Sequence, residues 1–220
     1  MRRSYLLFDI DGTLLDSAGA GRAALERTFG EATAIAGAMA NVALQGRTDR
    51  WILDEVTRQT GIEIDRAAFL PRYYAVLEDE LRRREPEALP GAHALLRVLA
   101  AREEAVLGLG TGNLRTAAFL KLTAAGLDGY FEAGGFGDDH VDRAELLHAG
   151  ARAVGWSTGE RLVVIGDTEH DVHAGRAVGA FVLAVATGTR TAEELRALDA
   201  DAVCADLTDL EGLVAILLDA

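Results

Sequence analysis

The stretch SYLLFDIDGTLLDS, Ser4 to Ser17, decides the fold. Its apolar run, Tyr5 to Phe8, shows no polar alternation, which is the pattern of a parallel strand buried on both faces. The run ends abruptly in Asp9 and Asp11, with only Ile10 between them. Two like charges beside an apolar strand are costly unless a cation joins them. The pair therefore asks for a functional explanation.

Outward from this stretch, similar runs recur at 105–110 (AVLGLG), 162–166 (LVVIG) and 181–185 (FVLAV), with weaker ones near 130–137 and 201–205. Helical patterns separate them, over 91–102, 113–125, 142–154, 169–178, 192–198 and 208–218. Thr191 with Glu194, and Thr208 with Glu211, have capping-box spacing for the last two. Strands alternating with helices predict an α/β fold with a doubly wound, Rossmann-like parallel sheet. From about Ser17 to Arg84 the alternation stops and only helical patterns remain. The stretch EPEALPG (85–91) then holds two of the three prolines and reads as a return linker. The expected organisation is a core of residues 1–16 and 85–220 with an inserted all-helical cap over 17–84.

Half of the 220 residues are apolar, enough for a sizeable core. The formal net charge of −13 argues against a nucleic-acid binder, which needs a basic footprint. An anionic substrate would need a local cationic site to overcome that field. Of 22 cationic residues only Lys121 is a lysine. The single Cys204 excludes an intrachain disulfide and suggests a reducing, cytoplasmic setting. The opening MRRSYLLF stops too soon at Asp9 for a signal peptide. No stretch reaches the roughly 18 apolar residues of a membrane span. A monomer or homodimer is expected.

Ligands of open α/β sheets bind at the carboxyl ends of the strands. After the first run come Asp9, Asp11, Gly12 and Thr13; after the second, Thr111, Gly112 and Asn113; after LVVI, Asp167 and Asp171. Four carboxylates and a hydroxyl thus converge on one edge, and a hard divalent cation held by oxygens explains them. Mg²⁺ suits the set because it takes few carboxylates and keeps positions for water and phosphate oxygens. A single Asp after a strand would be an ordinary cap or turn former; several after separate strands are not. A calcium loop starting at Asp9 fails at Leu14 and Ala20, where Gly and Glu belong. GLGTGN (108–113) has Asn113 in place of the third glycine of a dinucleotide fingerprint. GWSTG (155–159) lies between a helix and a strand, the reverse of a nucleophile elbow. His170 and His173 read as polar residues of a helix start rather than ligands.

Together FDIDGTLLD, GTGN and GDTEHD resemble the haloacid dehalogenase-like hydrolase superfamily, in order and spacing over essentially the whole chain. The helical insertion looks like that superfamily's first-type cap, and the overall pattern is most like its phosphoglycolate phosphatase-like group. The resemblance implies Asp9 as nucleophile and Asp11 as the acid that protonates the leaving alcohol and then activates water. Asp11 would also offer its backbone carbonyl to the metal. Gly12 would let the backbone approach closely. Thr111, with the amides of Gly112 and Asn113, would bind phosphoryl oxygens. Asp167 would ligate Mg²⁺ directly, and Asp171 would orient a metal-bound water.

The superfamily's usual lysine, often followed by proline, is missing from the stretch GDDHVDRAELL (137–147), where Arg143 stands instead. Arg143 is therefore expected to be the site's cation, and Lys121, on another helix, to be dispensable. Dehalogenases lack the second acid of D-x-D, so Asp11 favours phosphate esters over carbon–halogen bonds. In the cap, Arg47 and Thr48 of LQGRTDR (44–50) are expected to select the substrate, with Arg22 a weaker candidate; alternatively Thr48 or Asp49 caps the next helix. The expected partner is a small phosphorylated metabolite. A sugar phosphomutase and a phospho-accepting receiver module are the alternatives.

Overall fold

The computed structural model describes residues 3–35 and 37–218. The chain begins with β1 (Ser4–Phe8), β2 (Leu15–Asp16), α1 (Ala20–Thr33), α2 (Asp49–Thr60), α3 (Arg66–Arg84) and β3 (Glu87–Ala88). It continues with α4 (Ala92–Ala100), β4 (Ala105–Gly110), α5 (Arg115–Ala124), β5 (Gly134–Gly135), α6 (Arg143–Ala153) and β6 (Arg161–Gly166). It ends with α7 (Glu169–Ala177), β7 (Phe181–Val185), α8 (Ala192–Ala197), β8 (Ala202–Cys204) and α9 (Leu210–Leu218).

Six strands form one parallel sheet in the order β5-β4-β1-β6-β7-β8. This is the expected Rossmann-like core. Helices cover both faces, so alternate residues of β1 enter different apolar layers. Leu6 and Phe8 pack with Leu95, Leu122 and Leu213, while Tyr5 and Leu7 pack with Leu146 and Leu162. β1 has β4 on one side and β6 on the other, which makes a topological switch point beside it. Phe8 stands opposite both Leu109 and Ile165, so the residues that follow these three strands emerge together. α6 seats very close to β5. A Cβ at Gly135 would lie 2.1 Å from the Leu146 carbonyl oxygen, and one at Gly150 would lie 2.5 Å from Gly135 N. Two facing glycines therefore bring the first residue of α6, Arg143, up to the strand ends.

Between β2 and β3 the chain forms α1, α2 and α3. This segment has its own apolar cluster, which includes Phe29, Ile52, Phe69 and Tyr73. The rings of Phe29 and Phe69 lie 4.6 Å apart. Leu114 and Ala117 join the same cluster, so the helical segment rests on α5. The two connections to the sheet turn at Ala18 (φ 48°) and Glu85 (φ 50°), and Arg84 Nη1 ties them by donating to the Ala18 carbonyl at 2.9 Å. β2 and β3 pair antiparallel below them.

Thr191 and Glu194 form the expected capping box on α8. Thr208 and Glu211 do not form theirs. Asp209 Oδ1 accepts from Gly212 N at 3.1 Å, and the Thr208 hydroxyl turns to Asp206. Asp209 directly precedes the helix and its short carboxylate reaches the free N–H first. No helix among the described residues is long and apolar enough to cross a membrane.

Candidate active site

Asp9 follows β1 and is buried. Arg143 Nη2 lies 3.1 Å from Asp9 Oδ2 and 2.5 Å from Asp171 Oδ1. Burial pushes Asp9 up to about 6; Arg143 opposes the rise, while Asp171 and Asp11 add to it. Burial works against the Arg143 charge, yet Asp171 and Asp9 overcome it and its proton is held more tightly than usual. Asp167 follows β6 and takes a hydrogen bond from Thr13 Oγ1 at 3.1 Å. Burial, aided by Asp171 and Asp9, raises it to about 8.

One carboxylate oxygen from each of Asp9, Asp167 and Asp171 lies within 4.8 Å of the others. Asp171 is the most engaged of the three. Its Oδ1 takes Arg143, and its Oδ2 takes Thr168 N and Oγ1 at 3.1 and 2.7 Å, closing a capping box on α7. Asp171 thus anchors Arg143 instead of offering a free oxygen. Three buried carboxylates face a single guanidinium, and the raised proton affinity of Asp167 marks the negative charge left unbalanced. All the donors are hard oxygens, so the set fits Mg²⁺.

Asp11 is turned the other way. Its Oδ2 accepts from Lys121 Nζ at 2.6 Å and Asn113 Nδ2 at 2.8 Å, and its Oδ1 accepts from Ser17 Oγ at 3.0 Å. Burial would raise this carboxyl, but Lys121, Asn113 and Ser17 bring it below its ordinary value. Thr111 Oγ1 accepts from Asn113 Nδ2 at 2.9 Å. Above Gly112 three parts of the chain meet. A Cβ there would lie 2.6 Å from the Arg47 carbonyl oxygen, 3.0 Å from Thr48 Cα and 3.1 Å from Arg143 Nη1.

The helical segment closes directly onto this loop. Asp49 N donates to the Gly112 carbonyl at 2.8 Å, and Asp49 Oδ2 accepts from Leu114 N at 2.9 Å, at the start of α5. Burial raises Asp49 to about 6 despite Lys121 and the bond from Leu114. The cleft between the helical segment and this loop is half open and has a volume of about 250 Å³. Its floor comes from the sheet domain, and its roof includes Arg22, Leu25, Arg47 and Tyr73.

Residues 6–185 match the profile described as haloacid dehalogenase-like hydrolase. The chain belongs to that family. Among solved structures it is similar to CbbY from Rhodobacter sphaeroides in complex with phosphate, at 18% identity and a TM-score of 0.75, with 96% of each chain covered. A hydrolase from Pseudomonas syringae is similar at 24% identity and a TM-score of 0.70, covering 98% of this chain and 99% of its own. A Thermotoga maritima protein provisionally described as a β-phosphoglucomutase gives 20% identity and a TM-score of 0.66, covering 98% of this chain and all of its own. These likenesses show a shared fold. No curated protein matches the sequence.

In this haloacid dehalogenase-like hydrolase, Asp9, Asp11, Thr111, Gly112, Asn113, Arg143 and Asp167 all line the cleft. Gly12 and Asp171 stand behind it: Gly12 has φ 80°, and a Cβ there would lie 2.5 Å from Asp167 Oδ2. Arg47 lines the cleft with its guanidinium 4.5 Å over the Trp51 ring. Thr48 does not line it; its hydroxyl accepts from Trp51 N at 3.2 Å and caps α2. Arg22 reaches the rim but pairs with Glu26 at 3.0 Å. His170 lies outside, beside Gly46 and in a side cavity with His173.

The expectation for Lys121 needs correction: it is buried in the cleft against Asp11. Distance along the chain misled, because a helical side chain leans toward its helix's N-terminus, and the N-terminus of α5 is the loop of Thr111 to Asn113 that lines the cleft. Ser17 and Tyr73 were also missed, and Asp49, read only as a candidate helix cap, docks on the loop of Gly112 and Leu114 instead. Lys121 had one signal, as the only lysine in the chain.

Proposed function

We propose that this chain is a Mg²⁺-dependent phosphatase that hydrolyses a small phosphate monoester through an aspartyl phosphate on Asp9. The observation that carries this reading is the second acid, Asp11, on the same cleft as the nucleophile and the anion-binding Thr111 loop. A carboxylate oxygen of Asp9 attacks phosphorus and the bond to the ester oxygen breaks; because Lys121, Asn113 and Ser17 hold the free Asp11 carboxyl ionised, Asp11 takes up the proton that enters with the ester monoanion and passes it to the departing alkoxide. Water then attacks the aspartyl phosphate and gives a proton to Asp11. The Asp9–phosphorus bond breaks, which releases inorganic phosphate and restores the carboxylate. Thr111 Oγ1, the Gly112 amide and Arg143 hold phosphoryl oxygens through both steps, so most of the catalysis is positioning and charge neutralisation. Asp9, Asp167 and the Asp11 carbonyl would hold Mg²⁺, which supplies neutralisation of carboxylate and phosphate charge.

The roof selects the ester. Arg47 supplies a guanidinium for a polar or anionic group away from the phosphate, and Leu25 and Tyr73 supply an apolar wall. The bound phosphate in the Rhodobacter sphaeroides relative supports a small phosphorylated substrate, and the single free cysteine supports a cytoplasmic setting. Phosphoryl transfer to a second sugar hydroxyl, as in a phosphomutase, is the alternative favoured by the Thermotoga maritima relative.

Turnover of p-nitrophenyl phosphate with Mg²⁺ tests the proposal. Asp9→Asn is expected to lower kcat at least ~10³-fold, because the nucleophile is gone. Turnover that survives Asp9→Asn sinks it. Stable acyl phosphate without turnover of any ester points to a receiver module instead. A panel of phosphorylated metabolites, read for both phosphate release and transfer between hydroxyls, separates phosphatase from mutase.

A further inference from the structure

We propose that Lys121 is a positioning residue that acts on the reaction through Asp11 and the Asn113 amide bonded to it. The cleft assigns one cation to each acid of the D-x-D pair. Arg143, from α6, holds Asp9, while Lys121, from α5, holds Asp11. The two cations approach from different helices and have different partners.

Lys121 closes a ring of hydrogen bonds. Its Nζ donates to Asp11 Oδ2 and to Asn113 Oδ1, each at 2.6 Å. That second bond fixes which end of the Asn113 amide faces the lysine. Asn113 Nδ2 is thereby aimed at Asp11 Oδ2 and Thr111 Oγ1, at 2.8 and 2.9 Å. The ring ties the proton-transferring carboxylate to the loop that holds the phosphoryl group. It sets the distance between donor and reacting oxygen, on which proton transfer depends. Ser17 completes the hold from the other carboxylate oxygen.

The surroundings are shaped to a lysine. Every other cation in the chain with a charged side chain of this kind is an arginine. A compact ammonium can donate to two oxygens that lie close together, whereas a planar fork cannot bend around the Asn113 amide. The helix α1 crosses directly above with a glycine: a Cβ at Gly21 would lie 3.2 Å from Nζ. Asp49 fixes the start of the helix that carries Lys121, so closure of the helical segment and placement of Asp11 share one rigid element.

The inference rests on the proposed proton shuttle at Asp11, and its test has one arm that needs no turnover. In crystal structures of the parent and of Lys121→Met, the Asp11 side chain is expected to leave Asn113 in the variant while Asp9 stays in place. An unmoved Asp11 overturns the proposal whatever the chain hydrolyses. In the kinetic arm, Lys121→Met is expected to lower kcat at least ~30-fold with KM within about threefold, as loss of an interaction used only in the transition state does. Added to Asp11→Asn, the same change is expected to lower kcat by less than about threefold, because groups that act as a unit are not additive. Equal losses in both backgrounds overturn the proposal, since Lys121 would then act without Asp11. If Lys121→Met fails to fold for want of a partner to Asp11, the double variant carries neither charge and gives the decision. A kcat within about threefold of Asp11→Asn supports the ring, and one about tenfold lower overturns it. Absence of turnover in the parent would count against the phosphatase reading, while the position of Asp11 would still decide the role of Lys121.

Discussion

At Gly12 a single missing Cβ makes room for the Asp167 carboxylate. Its φ of 80° is open to glycine, and an added Cβ would sit 2.5 Å from Asp167 Oδ2. Gly12→Ala is expected to weaken Mg²⁺ binding at least tenfold in calorimetry and to lower stability by about 1–2 kcal/mol from the left-handed backbone alone. Unchanged affinity would show that Asp167 moves aside freely and is no ligand. Arg47→Ala is expected to raise KM roughly tenfold with kcat little changed, as removal of uniform substrate binding does; a fall in kcat at constant KM counts against a selecting role. Asp9, Asp11 and Gly12 were legible because they are contiguous and follow a strand with an unambiguous pattern. Lys121 was not, because its partner Asp11 is 110 positions away.

Among the elements, α5 joins the most functions. The loop leading into it carries Thr111 to Asn113, its second turn carries Lys121, and its free N–H at Leu114 receives Asp49 from the helical segment. Asp49 is buried, and its carboxyl is raised from 3.8 to about 6. The folded chain therefore holds this proton more tightly than the unfolded chain does. The carboxylate costs stability progressively as pH rises from about 4 to 6, to a total of about 3 kcal/mol. Asp49→Asn keeps an oxygen for Leu114 N and removes the charge. In urea unfolding it is expected to match the parent near pH 4 and to gain on it at pH 7.5. A gap that does not change with pH would sink the assignment. On α7, the capping box of Thr168 and Asp171 also holds Arg143, so an ordinary helix start and the site's cation depend on one side chain.

For the whole molecule, the proposed metal binding at the acid cluster would be linked to proton binding. Asp9 at about 6 and Asp167 at about 8 lie above the ordinary 3.8. From these groups stability falls as pH rises through that window, and the Mg²⁺ proposed for this cluster would have to displace the protons they hold. Calorimetry at pH 7 in buffers of different ionisation enthalpy is expected to show release of about one proton per Mg²⁺. Mg²⁺ is also expected to raise Tm more at pH 8 than at pH 5.5. A proton count of zero at pH 7 would rule out Asp167 as the site's protonated carboxyl.

The sequence by itself determined the parallel sheet, the helical stretch between its first two strands, and the acids and hydroxyl at the strand ends. Those features are local: apolar runs without alternation specify buried strands, and a switch point places whatever follows them in one crevice. Only the tertiary structure decided how the charges pair. Arg143 reaches Asp9 because two facing glycines let α6 seat against β5. Lys121 reaches Asp11 because its side chain leans back along α5. Asp171 turns inward to Arg143 and Thr168, and Thr48 becomes a helix cap while Asp49 docks on the loop of Gly112. Such pairings are set by which side chains share a few ångströms after packing, and spacing along the chain carries no record of that.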